Sequence, residues 1–151
     1  LRQAIQDLEG AARSRSIEIE YRISGAPYLV YMDERAIYRV FLNLLDNALR
    51  FTPSGGKISL HARMLGKRVE IQVIDTGTGI PPEHLPHIFE RFYQVPTPEN
   101  ETGRGNGLGL SIAKGFVEAH NGTITVENRQ NGGAKLTIRI PTEVPVVDVN
   151  V

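Results

Sequence analysis

The sequence predicts an α+β domain in which helices pack on one face of a mixed sheet, and three observations predict it. Short segments alternate apolar and polar residues with period two, one long segment carries apolar residues at helical spacing, and hairpins are joined to helices without strict strand-helix alternation. Residues 1–13 place Leu1, Ile5, Leu8 and Ala12 at helical spacing, and the abrupt start reads as the end of a longer helix. Residues 16–23 alternate as a half-buried strand does and turn at residues 24–27, and residues 28–32 offer a further short strand. Asp33 is placed as an N-cap, after which apolar residues through Leu49 sustain the longest helix until residues 52–56, Thr-Pro-Ser-Gly-Gly, stop it. Residues 57–64 and 67–74, divided at Gly66, form a hairpin. After the glycine- and proline-rich residues 75–82, a short helical piece runs through Phe92, with Phe89 and Phe92 both packing inward. Residues 94–106 form a polar, glycine-rich mobile loop. Residues 107–120 return to helical spacing and stop at Asn121 and Gly122, and two strands, 123–128 and 134–140, close the pattern.

Composition narrows the function. At 151 residues and 40% hydrophobic content the chain suits one domain with a real core. Seventeen basic residues balance seventeen acidic ones, so no excess positive field exists to hold nucleic acid or an anionic membrane. Cysteine is absent, which excludes disulfides and thiolate metal sites and fits the cytoplasm. No apolar run approaches the roughly 18 residues that cross a bilayer, so any membrane anchor of a parent protein lies outside this segment.

Three segments carry chemistry. In the long helix Asn43, Asn47 and Arg50 lie at i, i+4 and i+7 and share one face, opposite Phe41, Leu44, Leu45 and Ala48. An amide oxygen is a hard ligand suited to Mg²⁺, and a guanidinium is a fork-shaped phosphate donor. Asp75 ends an apolar strand and opens Asp-Thr-Gly-Thr-Gly-Ile, where glycines let the backbone approach a planar ligand and the carboxylate can accept from the N6 amine of adenine. Gly105, Gly107 and Gly109 precede or open a helix, whose unpaired amides and dipole attract phosphate. Neither a Walker loop nor a Rossmann fingerprint is completed there. Each segment alone also has a plainer explanation: a solvated helix face, an Asp-initiated turn, a flexible linker. His84 and His87, with no further clustered ligand, are surface or packing residues and not a metal pair.

In this order and spacing the segments resemble the catalytic domain of sensor histidine kinases, within the gyrase, heat-shock chaperone, histidine kinase and MutL ATPase superfamily. Residues 43–52, Asn-Leu-Leu-Asp-Asn-Ala-Leu-Arg-Phe-Thr, are similar to the N box. Residues 75–80 are similar to the first glycine box, residues 88–93 to the F box and residues 105–110 to the second glycine box. The resemblance implies a two-layer α/β sandwich, the Bergerat fold, with a mostly antiparallel sheet of about five strands, about three helices on one face and a flexible ATP lid. It implies that Asn47 coordinates Mg²⁺ with Asn43 nearby, that Arg50 contacts phosphate with Phe51 beside it, and that Asp75 reads adenine. It further implies that Gly77, Gly79 and Ile80 shape the base pocket and that residues 105–110 (Gly105, Asn106, Gly107, Leu108, Gly109 and Leu110) cradle phosphates. Arg50 and Phe51 stand where Lys and Tyr are frequent, Asn106 where Thr is, and Gln94 where a basic residue is, so Arg104 is the candidate to supply the missing lid charge.

The resemblance also divides the functions. Hydrolytic members carry a glutamate one turn before the metal-binding asparagine as general base. Asn43 occupies that position, and an amide cannot take a proton at neutral pH. Phosphoryl transfer to a protein nucleophile is therefore preferred over a gyrase- or chaperone-like ATPase, an anti-sigma-type kinase or a silent ATP-binding regulator. No histidine here has the His-Glu context of an acceptor, so the acceptor belongs to a separate dimerisation and histidine phosphotransfer domain, followed by a response regulator. The expected division is residues 1–15 as the end of the dimerisation-domain helix, 16–141 as the catalytic domain and 142–151 as a tail. The segment itself is expected to be monomeric and cytoplasmic, and its parent a homodimer anchored in the inner membrane.

Overall fold

The computed structural model describes residues 1–25, 30, 32–97 and 105–142 of the chain. Helix α1 (Arg2–Ser14) is followed by strand β1 (Glu18–Ser24), helix α2 (Glu34–Phe51), strands β2 (Lys57–Leu65) and β3 (Arg68–Asp75), helix α3 (Gly109–Ala119), and strands β4 (Thr123–Asn128) and β5 (Ala134–Pro141). α2 forms where expected because Asp33 caps it: Oδ1 accepts from Arg35 N at 2.8 Å and Ala36 N at 3.1 Å. Val40, Phe41, Leu44, Leu45, Ala48 and Leu49 make its buried face. It stops at the buried Thr52, whose hydroxyl donates to Ala48 O at 2.6 Å, ahead of Pro53. α3 ends in a Schellman motif with Asn121 in the left-handed position at φ 55°. Gly122 N donates to Val117 O at 2.9 Å and Asn121 N to Glu118 O at 3.0 Å.

The sheet runs β1-β2-β3-β5-β4. β1 pairs parallel with β2, and every other neighbour is antiparallel, as the resemblance implied. Leu60, Val73 and Leu136 stand opposite one another across β2, β3 and β5, and Ile71 faces Ile138, which faces Ile124. These rows are buried together with the apolar faces of the helices in one core. α2 is the central helix, packed against α1 on one side and α3 on the other. Ala4, Ile5 and Ala12 of α1 are buried in that same core. Among the described residues, no helix is long and apolar enough to cross a membrane.

The structure corrects two local expectations. Residues 82–92 form successive turns in place of a helix, closed by i to i−3 bonds such as His84 N to Pro81 O at 2.9 Å and His87 N to His84 O at 2.9 Å. Phe92 does not pack inward: it has φ 65°, is 71% exposed, and donates its N–H to Gly107 O at 2.9 Å. Without a continuing helix, spacing of three no longer puts Phe89 and Phe92 on one face, and Ile88 with Phe89 supply the apolar anchor instead. The short strand expected at 28–32 falls mostly on residues outside those described, as do most of the loop 94–106 and the tail after Thr142.

On the sheet face away from the helices one register row is charged: Arg63 faces Glu70, which faces Arg139. Glu70 is 1% exposed because the two guanidinium groups lie over it, with Arg63 Nη2 at 2.7 Å and Arg139 Nε at 2.8 Å. Burial pushes its carboxyl up, but the hydrogen bonds and charges of Arg63 and Arg139 outweigh that and hold it below the ordinary value. A depressed folded value means stability that is present above the unfolded value and lost as pH falls through the folded one. Glu70→Gln should therefore lower stability at neutral pH by about 1–2 kcal/mol. In thermal melts its difference from the natural protein should close under acid conditions below about pH 4.

Candidate functional site

α2 presents its polar stripe to a cavity of about 350 Å³ bounded by the end of β3, the start of α3 and β5. Asn43, Asn47, Arg50 and Phe51 all line it, so the i, i+4, i+7 spacing puts these side chains where the sequence placed them. Their environments differ. Asn43 Nδ2 donates to Gly109 O at 3.3 Å, tying α2 to the first residue of α3. Arg50 packs against Gly105, where any Cβ would run into its guanidinium, and Asp46 Oδ2 lies 3.8 Å away. Asp46 also lines the cavity, although it is exposed.

Asp75, 5% exposed, closes the opposite wall at the end of β3. Oδ1 accepts from Gly77 N at 2.8 Å and from Ala134 N at 3.2 Å. Among the described residues no donor reaches its other oxygen, so the acid has acceptor capacity to offer a ligand. Burial pushes its carboxyl above the ordinary value, opposed by the two amides and by Arg129. Gly77 stands behind the cavity: a side chain there would collide with the Phe51 carbonyl and come within 2.8 Å of Asp75 Oδ1. Gly77→Ala should therefore destabilise the fold by about 2 kcal/mol, measured by chemical denaturation, because the overlap is with backbone that cannot move aside.

α3 begins at Gly109 with Leu108 at the N-cap and no side-chain cap, so first-turn amides are presented at the cavity edge. Asn106 Oδ1 accepts from Leu108 N at 3.1 Å and shapes the approach. Gly105, Asn106, Gly107, Leu108, Gly109 and Leu110 all line the cavity, with Gly79 and Ile80 on the Asp75 side. Arg104 lies outside the described residues.

Asn128 and Arg129 are contributors that the sequence reading did not foresee. The Asn128 side chain grips the backbone of Ile80 from both sides, accepting from its N–H at 2.8 Å and donating to its carbonyl at 2.6 Å. Arg129 Nη1 donates to Asp75 O at 2.9 Å, so the β4–β5 turn backs the first glycine segment. Gln94 Nε2 donates to Gly105 O at 2.7 Å, and Tyr93, which lines the cavity, pairs its hydroxyl with His84 Nδ1 at 2.5 Å. His87 Nδ1 pairs with Glu90 at 2.7 Å. Only the asparagine ending an alternating strand before a Gly-Gly turn hinted at Asn128, and nothing in sequence linked it to residue 80.

Residues 32–144 match the family of histidine kinase-, DNA gyrase B-, and HSP90-like ATPases. The chain is 39% identical over 141 residues to the sensor histidine kinase TmoS of Ectopseudomonas mendocina, a match covering 92% of this chain and 14% of that protein. It is 35% identical to the signal transduction histidine-protein kinase BaeS of Escherichia coli K12, covering 86% of this chain and 28% of BaeS. The chain thus spans less than a third of the length of these relatives. Among solved structures, the nucleotide-free catalytic domain of histidine kinase ThkA superposes with TM-score 0.82 at 31% identity, covering 93% of this chain and 89% of that one. ThkA in complex with the response regulator TrrA gives 0.78 at 29% identity, covering 94% of this chain and 39% of that one.

Proposed function

The chain belongs to the family of histidine kinase-, DNA gyrase B- and HSP90-like ATPases, and we propose that it is the ATP-binding catalytic domain of a two-component sensor histidine kinase. In this reading it presents the γ-phosphate of Mg-ATP to a histidine on the dimerisation and phosphotransfer domain of the same kinase. The phosphoryl group then passes to a response regulator aspartate. The observation that carries the choice of transfer over hydrolysis is Asn43. It occupies the general-base position of the hydrolytic members with an amide, and that amide is committed to Gly109 O. The match to ThkA, solved in complex with a response regulator, supports the onward step.

Each wall of the cavity has its part in that reading. Asp75 accepts from the adenine amine, Gly79 and Ile80 let the ring lie against the backbone, and Gly77 shapes the pocket from behind, where it lets the loop pass close to the Phe51 carbonyl. Arg50 and the first-turn amides of α3 take the phosphates, with Arg104 as a further lid cation. Asn47 would be the amide ligand of an ion carried mainly by phosphates and water. Mg²⁺ would neutralise phosphate charge, and the residues supply alignment of the γ-phosphate with the incoming imidazole. Residues 1–15 serve as the junction to the acceptor domain, and the domain works in the cytoplasm, where ATP is supplied.

The test is to supply the chain with labelled Mg-ATP and the separately prepared dimerisation domain of its parent. Acid-labile label on that domain's histidine is the expected result. Binding of ATP without labelling would reduce the chain to a nucleotide-binding regulator, and sustained phosphate release without acceptor would favour the hydrolytic reading.

A further inference from the structure

The turn between α1 and β1 reaches across the helical layer to the end of α2. Arg15, which follows α1 directly, is half-buried, and its guanidinium donates to Leu49 O through Nη1 and to Thr52 O at 2.8 Å through Nη2. The last four carbonyls of a helix have no partner within it and carry the negative end of the dipole, so a cation with two donors meets both needs at once. Two backbone bonds complete the attachment: Gly55 N donates to Ser16 O at 3.1 Å and Glu18 N to Gly56 O at 3.0 Å. Ile17 N donates to Ala12 O at 2.9 Å and ties the same turn back to α1.

The helical turn held in this way is the one that serves the cavity. Arg50 and Phe51 lie between the two carbonyls that Arg15 grips, and both line the cavity. The Phe51 carbonyl also abuts Gly77, so a shift of this turn would press on the loop after Asp75. Arg15 itself is absent from the cavity wall among the described residues. We propose that Arg15 is a positioning residue for the phosphate end of the nucleotide site: it holds the last turn of α2 so that Arg50 stays directed across the cavity toward Gly105, and it couples α1 to that placement. The inference rests on the reading of the cavity as a nucleotide site.

The experiment compares a non-hydrolysable ATP analogue, by calorimetry, with adenosine, by NMR titration. The proteins are the natural chain, Arg15→Met, Arg15→Lys, Arg50→Ala and the Arg15→Met/Arg50→Ala double variant. Methionine keeps much of the apolar stem but removes both donors and the charge. The analogue should bind Arg15→Met about tenfold more weakly, the size of a lost charge-assisted contact, with adenosine unchanged. Arg15→Lys should recover part of the loss, since it restores the charge and a bond to one carbonyl. In the Arg50→Ala background, Arg15→Met should add less than about twofold, because the two act through one contact. Losses that are equal for analogue and adenosine, or that multiply in the double variant, would overturn the proposal. If Arg15→Met does not fold, Arg15→Lys carries the same comparison: a loss confined to the analogue supports the proposal and unchanged affinity overturns it. Failure of the natural chain to bind the analogue would instead remove the nucleotide reading, and this inference with it.

Discussion

Asp75→Asn should keep the fold and lose the nucleotide: a non-hydrolysable ATP analogue is expected to bind about a hundredfold more weakly, as for a lost hydrogen bond to a charged group. The amide oxygen of Asn can still accept from Gly77 N and Ala134 N, so the end of β3 stays in place. The amide nitrogen, however, puts a donor where adenine also presents one. The same substitution should leave the melting temperature of the ligand-free protein equal or higher. Burial raises the Asp75 carboxyl above its ordinary value, and a group with a raised folded value favours the fold only while protonated. At neutral pH its charge therefore opposes folding, and the neutral amide removes that cost, an exchange of stability for function. Affinity of the natural chain should correspondingly decline on acidification from a higher pH than an ordinary aspartate would allow. Unchanged affinity in Asp75→Asn, measured by calorimetry, would mean that the base is held elsewhere.

Asn47→Ala should abolish the effect of Mg²⁺. On the proposal that Asn47 is the ion's amide ligand, the ratio of analogue affinities with and without Mg²⁺ should fall close to one. Phosphoryl transfer to the acceptor domain should drop by about 10²–10³-fold, as when one preorganised electrostatic contact to a transition state is removed. The fold should not suffer, because alanine is the better helix former and Asn47 lies on the cavity side of α2. Asn43→Ala makes the contrast, since Asn43 ties α2 to Gly109 and its loss should disturb the start of α3 whether or not Mg²⁺ is present. If Mg²⁺ still strengthens binding in Asn47→Ala, the ion is held by other groups.

Much of this site was legible in sequence because its parts lie on regular elements. The stripe Asn43, Asn47 and Arg50 follows from helical spacing, and the Asp33 cap and the Thr52 stop set where that helix begins and ends. Asp75 was recognisable as an acid ending an apolar strand beside glycines. The misreadings fell where periodicity has no hold. Residues 82–92 have helix-like spacing but close as separate turns, so Phe92 points outward although Phe89 packs against the core.

By itself the sequence determined the order of elements outside residues 82–92, the alternation that gives the sheet one apolar face, and the family to which the chain belongs. Those properties depend on residues near one another along the chain, and repeat period and order suffice to read them. Only the tertiary structure decided that Asn128 grips Ile80, that Arg15 holds the carbonyls of Leu49 and Thr52, and that Arg63 and Arg139 cover Glu70. Each of these bonds satisfies a backbone group or a charge from elsewhere in the chain, and which partner is in reach depends on how β4, α1 and the sheet register come together.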